Sequence, residues 1–277
     1  MFGSALIVFR EVLEAALIIG IVLAATRGIA RRGAWVTGGV ACGVLGAVLV
    51  ALSAEAIAAS AQGFGQEWFN AGILMVTVAM LAWHQAWMSR HGREMAQQMN
   101  RLGHAVKEGG TALHVLAVVV GVAMLREGSE AALFLFGVAA SEGSSARDIL
   151  MGALLGVGAG AFCGGALYLG LLTIAPRKLF AVTGWMMVLL AAGMASQAAA
   201  FLVQAGSLPP LVDELWNSSD VLARSAPLGQ VLHVLVGYDD RPSGMQLVFY
   251  VATALAIVGL SRWIARLPTP AQTPRTA

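Results

Sequence analysis

The sequence predicts an all-α, polytopic membrane protein of seven transmembrane helices, with its N-terminus outside and its C-terminus in the cytoplasm. Three observations lead there. Of the 277 residues, 58% are hydrophobic and 12% charged, about half the charge of an ordinary soluble domain. Apolar runs of about 20 residues, enough to cross the hydrocarbon layer, recur along the chain. An octet with three charges near the N-terminus also returns in the second half, as an internal repeat would.

The first run, 4–26, is the unusual one, because Arg10, Glu11 and Glu14 sit within it. It lacks the basic flank and small-residue cleavage site of a signal peptide, so it is expected to stay as a span. The second, 35–58, is glycine-rich and free of charge until Glu55. The third, 69–89, holds His84 between Trp83 and Gln85. The fourth, 112–139, carries the second charged octet, whereas the fifth, 149–173, and sixth, 180–204, are plainly apolar. The seventh, 246–265, precedes "LPTPAQTPRTA", a Pro- and Thr-rich stretch expected to be disordered. Glycine is frequent, at 33 residues, as where helices pack closely in lipid. Cys42 and Cys163 lie inside apolar runs and read as small buried hydrophobes, with no disulfide or metal role. Trp68, Trp83, Trp87 and Trp263, near span ends, read as interfacial anchors.

Lysine and arginine set the orientation, because cytoplasmic connections carry the excess. One set of connections holds Arg27, Arg31, Arg32, Arg90, Arg93, Arg101, Lys107, Arg177, Lys178, Arg262, Arg266 and Arg275. The other holds only Arg147, Arg224 and Arg241, beside Glu67, Glu142, Asp148, Asp213, Glu214, Asp220, Asp239 and Asp240. The first set is read as cytoplasmic. No basic block points to nucleic acid.

The repeat organises the chain. "REVLEAAL" at 10–17 returns as "REGSEAAL" at 126–133, an offset of 116 residues, and "WHQAW" sits where "ASQAA" recurs, pairing Gln85 with Gln197. Each unit holds three spans, so the second is expected to enter the membrane in the opposite sense. Substrate sites of such inverted repeats lie near the midplane between the units. The expected units are a first repeat at 1–89, a cytoplasmic connection at 90–111 and a second repeat at 112–204. An acidic outer loop at 205–245, the seventh span at 246–265 and a cytoplasmic tail at 266–277 follow.

At 100° per residue, Arg10, Glu14 and Glu11 fall at about 0°, 40° and 100°, on one face of a helix. Arg126, Glu127 and Glu130 repeat that face. Each intramembrane charge costs roughly 2.5–3.5 kcal/mol on the insertion scale. Three come to about 8–10 kcal/mol, while the large apolar residues of the first span offset only about 4–7. Such a segment needs pairing, packing or water inside a bundle. A single Arg–Glu pair at i and i+4 can serve helix packing alone. Two copies, each with a glutamate to spare, point instead to four carboxylates and two guanidiniums converging on a cation. Hard oxygen donors suit hard cations: magnesium, calcium, manganese and, by charge density, ferric iron.

These paired Arg-Glu-x-x-Glu motifs, on the first and fourth of seven spans, resemble those of the oxidase-dependent iron permeases. That family includes the yeast high-affinity iron permease and bacterial EfeU-type permeases. The resemblance covers nearly the whole chain, including "LGQVLHVLVGYDDRPSG" at 228–244. It implies an iron permease of the cytoplasmic (inner) membrane, importing iron that is ferric after oxidation outside. It implies Glu11, Glu14, Glu127 and Glu130 as the metal site and Arg10 and Arg126 as supporting groups. A periplasmic iron-binding protein and a haem peroxidase would be its partners. The chain departs from the pattern in placing Val12-Leu13 and Gly128-Ser129 between the glutamates, where Gly-Leu is common. It also has Asn70 where relatives often have glutamate near the outer mouth.

Other residues extend the candidate path. An intramembrane histidine is a functional candidate by position, so His84 joins with Gln85, Gln197, Glu55 and Glu67 as possible pathway residues. His91, His104 and His114 flank the 90–111 connection as a possible inner metal site, or as ordinary solvated residues. The outer acids Asp213, Glu214, Asp220, Asp239 and Asp240 form a cation-gathering vestibule or a solvated loop. No permanently bound cofactor is expected: the chain has no haem-attachment motif and no Glu-x-x-His pair of the ferritin-like kind. A transporter of another cation such as manganese or lead remains a rival, since carboxylates discriminate poorly. A haem-binding oxidoreductase subunit is a second, disfavoured because no two spans each offer a buried histidine.

Overall fold

The computed structural model describes residues 1–60, 65–110, 112–142, 145–170 and 176–266. Within its helices, the side chains of 57–60, 89–96, 141–142, 176–177, 179, 227 and 234–235 lie outside that description. Those of Arg90, His91, Arg93, Glu142 and Arg177 are therefore not placed, and neither is the tail at 267–277. Every regular element among the described residues is a helix. In chain order they are α1 (Phe2–Ala25), α2 (Arg32–Ser60), α3 (Gln66–Lys107), α4 (His114–Glu142), α5 (Ala146–Tyr168), α6 (Pro176–Gln204), α7 (Pro227–Val236) and α8 (Gly244–Arg266).

Among the described residues, five segments are long and apolar enough to cross a membrane: Arg32–Ala56, Gln66–Met88, Ala146–Tyr168, Phe180–Gln204 and Gly244–Arg266. The helices α1 and α4 have comparable length, 24 and 29 residues. Their three motif charges each keep them from passing on composition.

Two of the connections contain helix. Most of the 90–111 stretch is helical, because α3 runs on through Lys107. Its sequence is polar but rich in Met, Gln and Arg with no proline, so helix propensity continues after hydropathy stops. Gly109, at φ +77°, ends the helix, and Gly110 N–H reaches back to the Ala105 carbonyl at 2.9 Å. The outer segment also contains α7. Pro227 opens it, and Gly237 closes it in the left-handed region at φ 72°.

Helix pairing exchanges the two halves of the chain. α1 packs chiefly on α5, α2 on α4, and α3 on α6. The first two pairs run parallel: Met1, Ala5 and Phe9 meet Gly152, Gly156 and Gly160 in turn, as Ala117 and Gly121 meet Gly39 and Gly43. Glycine permits this approach. A Cβ added to Gly39 would lie 2.5 Å from the Ala117 carbonyl oxygen, and one on Gly156 would lie 2.6 Å from that of Ala5. Such small-residue seams are how helices pack in lipid.

The largest buried cluster joins α1, α3, α4, α6 and α8 around Ile7, Leu74, Phe134, Met187 and Ile257. Large apolar side chains face outward instead on α2 (Leu45, Leu49), α5 (Leu154, Phe162) and α8 (Leu255), as they do on a bundle whose solvent is hydrocarbon. Cys42 is exposed on α2 and Cys163 half-buried on α5, so neither is the fully buried residue expected. Both thiols are free.

Candidate metal centre

Helices α1, α3 and α4 all touch one another, and their charged residues meet where they do. On α1, Arg10 Nε donates to Glu14 Oε1 at 3.0 Å; on α4, Arg126 Nε donates to Glu130 Oε1, also at 3.0 Å. Each arginine thereby holds one oxygen of the glutamate one turn on. The other oxygens turn toward α3. His84 Nε2 lies 3.7 Å from Glu14 Oε2, and its Nδ1 contacts Glu130 Oε2. A histidine from the third helix therefore bridges the two motifs.

Glu11 and Glu127 complete the cluster. Ligand atoms of Glu11, Glu14 and His84 lie within 4.8 Å of one another, as do those of Glu11, Glu127 and Glu130. Glu11 belongs to both groups. It is 1% exposed and Glu127 5%, far below what a carboxylate tolerates without compensation. Both oxygens of Glu11, and Oε2 of Glu14, Glu127 and Glu130, are buried without a hydrogen bond. Five acceptor oxygens thus converge with no hydrogen bond, two of them facing only the His84 ring, and such a set could hold a cation.

The two halves are not equally enclosed. Arg10 is 3% exposed, whereas the Arg126 side chain is 33% exposed and that of Glu130 19%. A pocket of about 390 Å³ reaches the second half, lined by Met80, Trp83, His84, Trp87, Arg126, Glu130 and Phe134. The Arg126 guanidinium carbon stands 4.1 Å from the centre of the Trp87 ring. Trp87, legible only as an interfacial anchor, is thus also a support for the motif arginine.

The remaining candidates lie elsewhere. Gln85 packs against Gly184 of α6. Gln197 hydrogen-bonds His233 Nε2 on α7 at 2.8 Å. Glu67 is exposed in the first turn of α3, 17 residues and so about 25 Å along the axis from His84. Glu55 is exposed on α2, and Asn70 is half-buried near the start of α3. His104 and His114 are exposed and join no metal-type group among the described residues; the His114 ring is 6.5 Å from that of Trp35.

Asp213, Glu214 and Asp220 are exposed, but Asp239 and Asp240 are engaged. Arg224 binds Asp239 through its side chain at 3.3 Å, and its backbone N–H donates to Asp240 at 3.1 Å. That N–H holds the Asp240 carboxyl below its ordinary range. Arg224 also bonds His233 at 3.0 Å, tying the outer segment to α7 and, through Gln197, to α6. His233 was not singled out from sequence, although it lies inside the "LGQVLHVLVGYDDRPSG" pattern.

The model of the iron permease FTR1 family matches residues 1–265. The chain belongs to that family. It is a multi-pass membrane transporter, not an enzyme. Among curated proteins it is similar to the "ferrous iron permease EfeU" of Yersinia pestis, at 29% identity over 255 residues covering 90% of this chain and 89% of the relative. The protein of the same name from Escherichia coli O6:H1 is 28% identical over 265 residues, 93% and 94% of the two chains. That from Shigella sonnei is 27% identical over 267 residues, 94% and 95%. No solved structure matches the chain significantly.

Proposed function

We propose that this member of the iron permease family moves iron inward across the bacterial inner membrane through the carboxylate cluster shared by α1 and α4. The observation that carries this is the convergence of Glu11, Glu14, Glu127 and Glu130 with five buried oxygens left unbonded. With all four ionised, the two arginines leave a local charge of −2, which an entering divalent cation neutralises. Charge density and the resemblance to oxidase-dependent permeases favoured ferric iron. The relatives are named for ferrous iron, and ferrous iron is the cargo proposed.

The wider reading is of seven spans, α1 to α6 and α8, with the first six as two inverted three-helix units. Parallel packing of α1 on α5 and α2 on α4 supports it, because helices separated by an even step in the chain cross in the same direction. The Lys/Arg distribution supports an outer N-terminus and an inner C-terminus. The segment 205–243 then faces outward, where a periplasmic iron-binding protein would deliver the ion; a haem peroxidase partner belongs to the ferric reading. Alternating exposure of the cluster between the units releases it inward.

The test is radio-iron uptake at matched membrane abundance for glutamine variants of the four glutamates. Each should lose most uptake; wild-type uptake by any pair of variants on opposite helices overturns the shared site. Manganese and lead in the same assay separate an iron permease from a broader cation carrier.

A further inference from the structure

The cluster has one member that the repeat does not duplicate. The offset that pairs Gln85 with Gln197 pairs His84 with Ser196, and a serine offers no imidazole. The imidazole is therefore supplied once, from α3, between the two halves, with Nε2 toward Glu14 and Nδ1 toward Glu130. His84 is 3% exposed, and neither ring nitrogen has the backbone carbonyl or hydroxyl partner that usually fixes a structural histidine. Both face carboxylates, while the ring edge rests on Phe134 with centroids 6.2 Å apart.

We infer that His84 is itself a ligand of the transported ion, forming with Glu11 and Glu14 a mixed imidazole–carboxylate position for Fe2+. Glu11, Glu127 and Glu130 form beside it an all-oxygen position that shares Glu11. This rests on the four-glutamate reading and adds the residue that gives it selectivity. Donors bonded to a first-row divalent ion at about 2.1 Å lie at most about 4.2 Å apart. Three donors shared evenly around one ion lie about 3.6 Å apart or less, so a set already within 4.8 Å closes by shifts of about 1 Å or less, within side-chain reach. Imidazole suits iron, zinc, nickel and copper, whereas carboxylate sets suit magnesium, calcium and manganese. A site of glutamates alone rejects calcium and magnesium poorly; one nitrogen donor changes that ranking.

The alternative role for His84 is to bridge Glu14 and Glu130 in the empty protein and leave the metal to oxygen. X-ray absorption at the iron edge separates the two on purified protein loaded anaerobically with one equivalent of Fe2+. The wild type should show the ring-scattering signature of one imidazole. His84→Gln should lose it and bind Fe2+ roughly tenfold or more weakly, with calcium and manganese competing better in uptake. His104→Gln should change neither. An oxygen-only shell in the wild type overturns the assignment without any variant, and so does an imidazole signature that survives His84→Gln. If instead uptake and Fe2+ binding survive Glu14→Gln combined with Glu130→Gln, the four-glutamate reading has failed and takes this inference with it.

Discussion

Glu14 on α1 and Glu130 on α4 are held in the same way, each by the arginine four residues before it, with Nε–Oε1 distances of 3.0 Å in both. Their second oxygens meet the same histidine. The i, i+4 pairing is local, set by helix geometry within each motif. The histidine bridge is not local: it requires that α1, α3 and α4 converge. Charge pairing along each helix leaves one oxygen per glutamate for what lies between the helices.

The arginines should differ in how much they tolerate. Arg10 is buried and Arg126 is one-third exposed, resting on Trp87. Removing one partner of a buried pair costs about 3–5 kcal/mol, and solvent screening lowers that for the exposed one. Arg10→Ala should therefore reduce folded protein in the membrane more than Arg126→Ala does. Arg→Lys at either position should lower iron uptake, since lysine lacks the planar fork. Thermal unfolding in detergent and uptake assays check both, and equal sensitivity of the two positions would contradict the burial difference.

The glycine seams make a prediction about assembly. A side chain at Gly39 meets the Ala117 backbone, and one at Gly156 meets the backbone of Ala5 and Phe9, whereas Gly38 and Gly158 have open space around them. Gly39→Val and Gly156→Val should sharply reduce the amount of monodisperse protein extracted from membranes. Gly38→Val and Gly158→Val should leave it near the wild-type level. Size-exclusion profiles of the four variants settle the comparison.

Membrane orientation can be read with fusions. A reporter after Arg266 should work only in its cytoplasmic form and one inserted near Ser219 only in its exported form. The reverse pattern would invert the direction of transport.

The outer segment should loosen in acid. Asp240 accepts the Arg224 backbone N–H, which lowers its pKa in the folded protein. A depressed carboxyl contributes stability above its unfolded pKa, about 3.9 for aspartate, and loses it as pH falls through the folded value. The protection of amides around Arg224 against exchange, taken relative to the intrinsic rate at each pH, should therefore fall below about pH 4 in the wild type. In Asp240→Asn the protection should be lower at neutral pH and less sensitive to acid over that range.

Much of this was legible because it is written locally. Arg10, Glu11 and Glu14 share a face by helix period alone, and their copy at 126–130 announced a second stripe. What sequence could not give was which third element closes the site. His84 and Gln85 are neighbours on α3, equally polar and equally deep in an apolar run. The 100° between them sends His84 to the cluster and Gln85 to Gly184 on α6. Hydropathy reports that a residue is in the span, not which neighbour its face meets. The same limit hid the helical continuation of α3 past residue 89, where polarity changed and backbone propensity did not.

The sharpest prediction concerns Glu14 and Glu130 as a unit. If both oxygens that face His84 serve one cation path, removing either charge breaks the same site. Glu14→Gln and Glu130→Gln preserve shape and each keeps an acceptor for its arginine, so the protein should remain inserted. Each single variant should lose most radio-iron uptake at matched abundance. The double variant should then lose little more, because residues that act together are not additive. Independent sites would behave otherwise: each single variant would retain substantial uptake, and the fractional losses would multiply in the double. The cycle therefore needs four proteins and one assay, with membrane abundance measured alongside to separate a lost site from a lost fold. A multiplicative result would show that the two Arg-Glu-x-x-Glu stripes work separately, despite the histidine that joins them.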